Sequence, residues 1–195
     1  MKRILFLVVF VVMTVVAFSQ TESSQDKSNS KVVDFLEENG TFIKKQFYPF
    51  GQIQGLVNKV KFEVVIISDL TKTSNRIGCM RLITRHSSYA NYVPSTEYIG
   101  TLDFDEIDAS LQCLKFVKDS LLQTHPTQYT EVQYRSRDGV VIGFFYEEKE
   151  SKWSAFIKTK SHISDSEEFV DSSVIDQLIA IMENCQRGIR DCLAN

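Results

Sequence analysis

Residues 98–122, YIGTLDFDEIDASLQCLKFVKDSLL, pass from an alternating stretch straight into an amphipathic one with almost no loop between them. Asp103 and Glu106 stand where the alternation stops. That spacing supplies a side-chain acceptor for the first free N–H groups of a helix and a carboxylate in its first turn, where the helix dipole favours negative charge. From there Ile107, Leu111, Leu114, Val117 and Leu121 recur at steps of four and three, which aligns them on one face at about 3.6 residues per turn. An apolar helical stripe delivered by a strand has to be buried on a sheet, so the class is α+β.

The flanking sequence repeats the pattern. Upstream, Val60, Phe62, Val64 and Ile66 alternate with Lys61 and Glu63 before the run turns apolar on both sides at Val65 and Ile67. This reads as a strand near the middle of a sheet. Ile77 to Thr84 and Glu97 to Phe104 read as two further strands, with a polar turn at 69–75 and a loop at 85–95. Before them, Lys31 to Asn39 suggests a short helix stopped by Gly40, and Thr41 to Tyr48 a strand that Pro49, Gly51 and Gly55 should break. Downstream, His125-Pro126 ends the central helix, and Tyr129 to Ser136, Val140 to Tyr146 and Trp153 to Thr159 read as a meander. Asp138-Gly139 is its hairpin signal, because glycine supplies the positive φ of a tight turn. After a polar linker, Val174, Leu178, Ile181, Cys185 and Ile189 mark the last helix.

The expected architecture is therefore an antiparallel sheet of about six to seven strands from two consecutive βββα units, with the helices packed on one face. In Val140 to Tyr146, residues pointing both ways are apolar, so the opposite face needs cover as well. Phe42 to Leu56, rich in aromatic residues, is the expected source of that cover.

Lys2 and Arg3 precede an apolar run from Ile4 to Val12 that continues to Phe18, and Ala17 and Ser19 offer small residues at a cleavage site before Gln20. This is the pattern of a secretory signal peptide over 1–19. Residues 20–30, QTESSQDKSNS, hold no apolar side chain and read as a disordered tether, leaving 31–195 as a single α+β domain. The expected location is periplasmic or extracellular, with no stable membrane insertion after cleavage. Loss of Lys2 and Arg3 moves the formal net charge from −3 to −5. Basic residues are dispersed, which argues against nucleic acid as a partner. In an oxidising compartment Cys79, Cys113, Cys185 and Cys192 permit three full pairings that spacing does not choose between.

Motifs for chemistry are missing: the chain has no glycine-rich phosphate loop, no G-x-S-x-G elbow and no H-E-x-x-H helix. A calcium loop counted from Asp103 would need Gly and Glu where Asp108 and Leu114 stand, so the acidic cluster Asp103, Asp105, Glu106 and Asp108 fits a helix N-terminus better. Asn39-Gly40-Thr41 is a formal glycosylation triplet. Arg135 and Arg137 flank the hairpin and could hold an anion, although strand ends often carry such charges for solubility. His86, His125 and His162 fall in expected loops. No catalytic residue, cofactor or metal ligand is assigned. The favoured reading is a non-enzymatic binding or accessory protein that engages a protein or other macromolecule at its sheet face or edge. The alternative is a small hydrolase using a Cys and a His, with His86 or His125 as base.

The runs YIGTLDFDEI (98–107), YTEVQYRSRDGVVIG (129–143) and WSAFI (153–157) together resemble short exported proteins of Bacteroidetes-type bacteria, over most of residues 40 to 185. The resemblance implies a bacterial exported domain and transfers no site residue.

Overall fold

The computed structural model describes residues 30–72, 75–86 and 95–194. The expected signal peptide and all of the tether but Ser30 lie outside the described residues, as does most of the loop expected at 85–95. The chain runs α1 (Lys31–Glu37), β1 (Ile43–Gln54), β2 (Lys59–Asp69), β3 (Arg76–His86), β4 (Thr96–Asp103), α2 (Ile107–Phe116), β5 (Thr130–Arg135), β6 (Val141–Glu147), β7 (Lys152–Lys158), β8 (Glu167–Asp171) and α3 (Ile175–Ala194). A 3-10 turn, Phe104–Glu106, opens α2, and a π-helical turn, Val117–Leu121, extends it.

The class is α+β and all pairing is antiparallel, but the strands form two four-stranded meanders, β1-β2-β3-β4 and β5-β6-β7-β8, where a single sheet of six to seven strands from βββα units is expected. The strand expected over Thr41 to Tyr48 is present and runs on to Gln54, and the second unit gains a strand that its sequence disguises. β1 continues through Pro49 because a register shift between Pro49 and Gly51 absorbs the irregularity on an edge strand, where proline's missing N–H costs no ladder bond. The bulge turns Phe50 toward α3, where Gly188 leaves room for its ring and a Cβ would collide with it. β8 lies in the segment expected to be a polar linker. Glu168 faces inward at 5% exposure because its carboxylate accepts from the N–H groups of Val57 (2.8 Å) and Asn58 (3.1 Å) in the β1–β2 turn.

The two units share an ending. Leu102-Asp103 closes β4 and Ile107-Asp108 opens α2; Val170-Asp171 closes β8 and Ile175-Asp176 opens α3, each across a three-residue 3-10 turn. The helices lie side by side and antiparallel, as Lys118–Asp176 (2.5 Å), Lys115–Glu183 (2.7 Å) and Gln186–Asp108 (2.6 Å) show. Each packs on the sheet of the other unit. On α3, Ile181 lies against Gly51 and Ile189 against Gly78, while α2 borders Val132 and Tyr134 of β5. One core results, joining Phe62, Val64, Met80 and Leu102 of the first sheet to Ile142, Phe144, Ala155 and Ile157 of the second. Among the described residues no helix is long and apolar enough to cross a membrane.

Candidate functional site

Alternation gives each sheet an outer face turned away from this core. On the first sheet, Val65, Ile67 and Cys79 of that face pack with Val32 and Phe35 of α1 in a second, smaller cluster. The cover is therefore α1. Phe42 to Leu56, expected to lie across the face, instead supplies β1 as its margin and leaves Phe42, Phe47 and Leu56 exposed. Beyond α1, Arg81 pairs with Glu63 at 3.5 Å and lies over the Phe47 ring at 5.0 Å, while Phe47 and Ile99 stay partly open to solvent.

A charge cluster around the buried Asp103 fixes α1 in place. Asp103 caps the 3-10 turn before α2 and forms a capping box with Glu106, as the spacing predicts. Its carboxylate, 1% exposed, also reaches the start of α1 and accepts from Ser30 Oγ (2.9 Å), Lys31 N–H (2.7 Å) and Val32 N–H (3.2 Å). One carboxylate thus serves the N-termini of two helices, where free N–H groups and the dipole favour an anion. Arg137 completes the cluster, pairing with Asp103 at 3.0 Å, with Asp105, and with Glu106 at 3.4 Å. Partial burial pushes the Asp105 carboxyl up, but hydrogen bonds from Lys31 and Arg137 outweigh it and hold the group below the ordinary carboxylate value. Asp108 accepts from Gln186 at 2.6 Å. The four carboxylates of the cluster are thus matched to protein donors, and among the described residues no three His, Cys, Asp or Glu side chains are grouped to hold a metal ion.

The second sheet's outer face is organised differently. Pairing register aligns Glu131, Phe145, Ser154 and Asp171 in one row, Gln133, Gly143, Phe156 and Phe169 in the next, and Arg135, Val141, Lys158 and Glu167 in a third. The absence of a side chain at Gly143 lets the Phe156 ring lie across its strand, since a Cβ there would run into the ring. Phe145 then sits between three aromatic neighbours, with ring centroids 6.3 Å from Phe156, 6.0 Å from Phe169 and 6.3 Å from Tyr129. These side chains floor an open groove of about 350 Å³ rimmed by Glu131, Arg135, Glu147, Lys158 and Glu167. Tyr129 donates to Glu131 at 2.8 Å, and this bond, with partial burial and the Glu131 charge, pushes its hydroxyl up to about 12. The phenol is thus a donor at neutral pH.

The residues considered for nucleophilic chemistry are dispersed. Cys79 is 1% exposed, and burial together with the Asp103 and Asp138 charges pushes its thiol up to about 12. His86 is seven positions along the same strand, roughly 24 Å away at about 3.4 Å per residue. His125 lies edge-on to Tyr146 of the second unit, and His162 follows β7 in a turn. Burial also pushes Cys185 up to about 12, whereas Cys113 is exposed on α2; all four cysteines are free thiols. Arg135 borders the groove, while Arg137, read as an exposed strand-end cation, is held by the acidic cluster. The doubly apolar β6 was a signal for the aromatic floor; Phe169 carried none, because β8 reads as a linker. Asn39-Gly40-Thr41 forms the exposed turn after α1, with Gly40 at φ +75°. No family model matches the chain, and neither a curated protein nor a solved structure does.

Proposed function

We propose that this chain is an exported, non-enzymatic binding or accessory protein of the periplasm or cell exterior, and that it holds a macromolecular partner on the outer face of its second sheet. The observation that carries the reading is the aromatic floor of Tyr129, Phe145, Phe156 and Phe169, with Phe169 left 44% exposed. Rigid aromatic side chains at the centre of a polar rim are the composition of an interface hot spot. The rim carries both signs, Arg135 and Lys158 beside Glu131, Glu147 and Glu167, which suits a partner with matched charges better than a polyanion. Export is supported by the cationic start, apolar run and small-residue exit of residues 1–19.

The test is quantitative retention of envelope components on the immobilised mature protein, compared with a Phe169→Glu variant. Truncating a hot spot costs about 2 kcal/mol or more, roughly 30-fold in affinity, so the variant should lose the partner while keeping its unfolding midpoint. Equal retention by both proteins would refute the proposal.

A further inference from the structure

Four strands form the margins of the two sheets, and three of them carry a proline, a bulge or an outward main-chain bond. β1 carries Pro49 and a register shift, and the Gln52 carbonyl accepts from Gln177 at 3.1 Å. On β4 the Thr101 N–H donates to Asp138 (2.9 Å) and the Thr101 carbonyl accepts from the Ser136 hydroxyl (3.1 Å). On β8 the Phe169 carbonyl accepts from the Leu56 N–H at 2.8 Å. These are the devices by which proteins keep an edge from pairing with another chain. β5, TEVQYR, has no proline, no lysine and no bulge, and among the described residues no other segment donates a main-chain bond to it. The Ser136 N–H donates across the hairpin to the Val140 carbonyl at 2.8 Å. Antiparallel alternation therefore points the main-chain groups of Tyr134 and Val132 toward β6 and those of Glu131, Gln133 and Arg135 outward.

We propose that β5 is an interface between two copies of this chain, its strands pairing antiparallel about a twofold axis at Gln133 and joining two four-stranded sheets into one of eight. The charge pattern selects this partner and this register. Centring on Gln133 sets Glu131 opposite Arg135 of the second copy twice over, and Val132 opposite Tyr134 twice on the inner face. A shift of the axis to Val132 or Tyr134 loses both ion pairs. The outward N–H and C=O groups of all three edge residues find partners in this arrangement. Beside the same edge, Phe116 of α2 stands 59% exposed above an apolar groove of about 420 Å³ lined by Cys113, Val117, Val132 and Tyr134, ground that a second copy would cover.

Sedimentation of the mature protein tests the arrangement by charge reversal. The wild type should be a dimer. Glu131→Lys and Arg135→Glu should each be monomeric at the concentration where the wild type dimerises, because each sets like charges opposite one another twice. An equimolar mixture of the two variants should reassemble as a heterodimer, because every cross-axis pair is again of opposite sign; this also shows that both variants fold. The double variant should dimerise alone. A monomeric wild type, a dimer indifferent to both reversals, or a mixture that stays monomeric would overturn the proposal. So would a monomer whose β5 amides gain protection only when an extended peptide is added, which would give the edge to another protein's strand. Phe169→Glu should leave the dimer intact, so failure here is separable from failure of the outer-face reading.

Discussion

On the outer face of the first sheet, Val65, Ile67 and Cys79 lie beneath α1, whereas the matching ground on the second sheet is held by Phe145, Phe156 and Phe169 with no element laid over them among the described residues. The two units share their meander and the strand-turn-helix ending, and they differ in α1, which precedes β1 and has no counterpart directly before β5 among the described residues. A few side chains decide what holds that helix. The first unit ends in Asp103, a buried carboxylate that can satisfy the start of an additional helix, while Asp171 at the matching place caps only its own turn through the Ser173 N–H at 2.9 Å. An apolar face closed by the protein's own segment contributes stability; one floored by aromatics and rimmed by charge is available for binding.

The most severe way to break this contrast is to release α1. Asp103→Ala removes the acceptor for Ser30, Lys31 and Val32 and strips Arg137 of a buried partner. Leaving a buried donor without an acceptor costs about 1–3 kcal/mol, which adds to the 0.5–2 kcal/mol of an ordinary cap. Chemical denaturation should show the combined loss, and a hydrophobic dye should bind a first sheet that now resembles the second. A smaller effect is expected at Gly143→Ala, where the added Cβ displaces the Phe156 ring; overpacking of this kind costs about 1–3 kcal/mol and should disturb the aromatic floor while leaving α1 protected from amide exchange. The mildest is acid. Asp105 has its folded-state value held below the ordinary 3.8, so its contribution is complete above that value and is lost as pH falls through the lower, folded one. The unfolding midpoint should decline on acidification, and Asp105→Asn should flatten the decline.

The sequence carried the local elements well and the long-range ones poorly. The capping pair Asp103 and Glu106, the Asp138-Gly139 hairpin with Gly139 at φ +86° and the stripe of α3 were all legible, because each depends on residues within one or two turns of chain. Division into two sheets was not, since a strand's alternation is the same whichever distant strand pairs with it. β8 was hidden because Glu168 reads as solvated until the β1–β2 turn that consumes its charge is in place. The second role of Asp103 was hidden for the same reason, its donors lying more than seventy residues away in the chain. Of the candidate site, β6 announced Val141 and Phe145 as apolar residues on the second face, but the floor is completed by Phe169 from the unrecognised strand.

The central claim is that the second outer face, and not the first, receives a partner. A photo-reactive amino acid placed at Phe169, and separately at Phe47 on the first sheet, compares the two directly, since both positions are partly exposed, at 44% and 48%. Crosslinking in the native cell envelope should yield a discrete adduct from position 169 and none from position 47. An adduct from position 47 alone, or from both positions equally, would contradict the account.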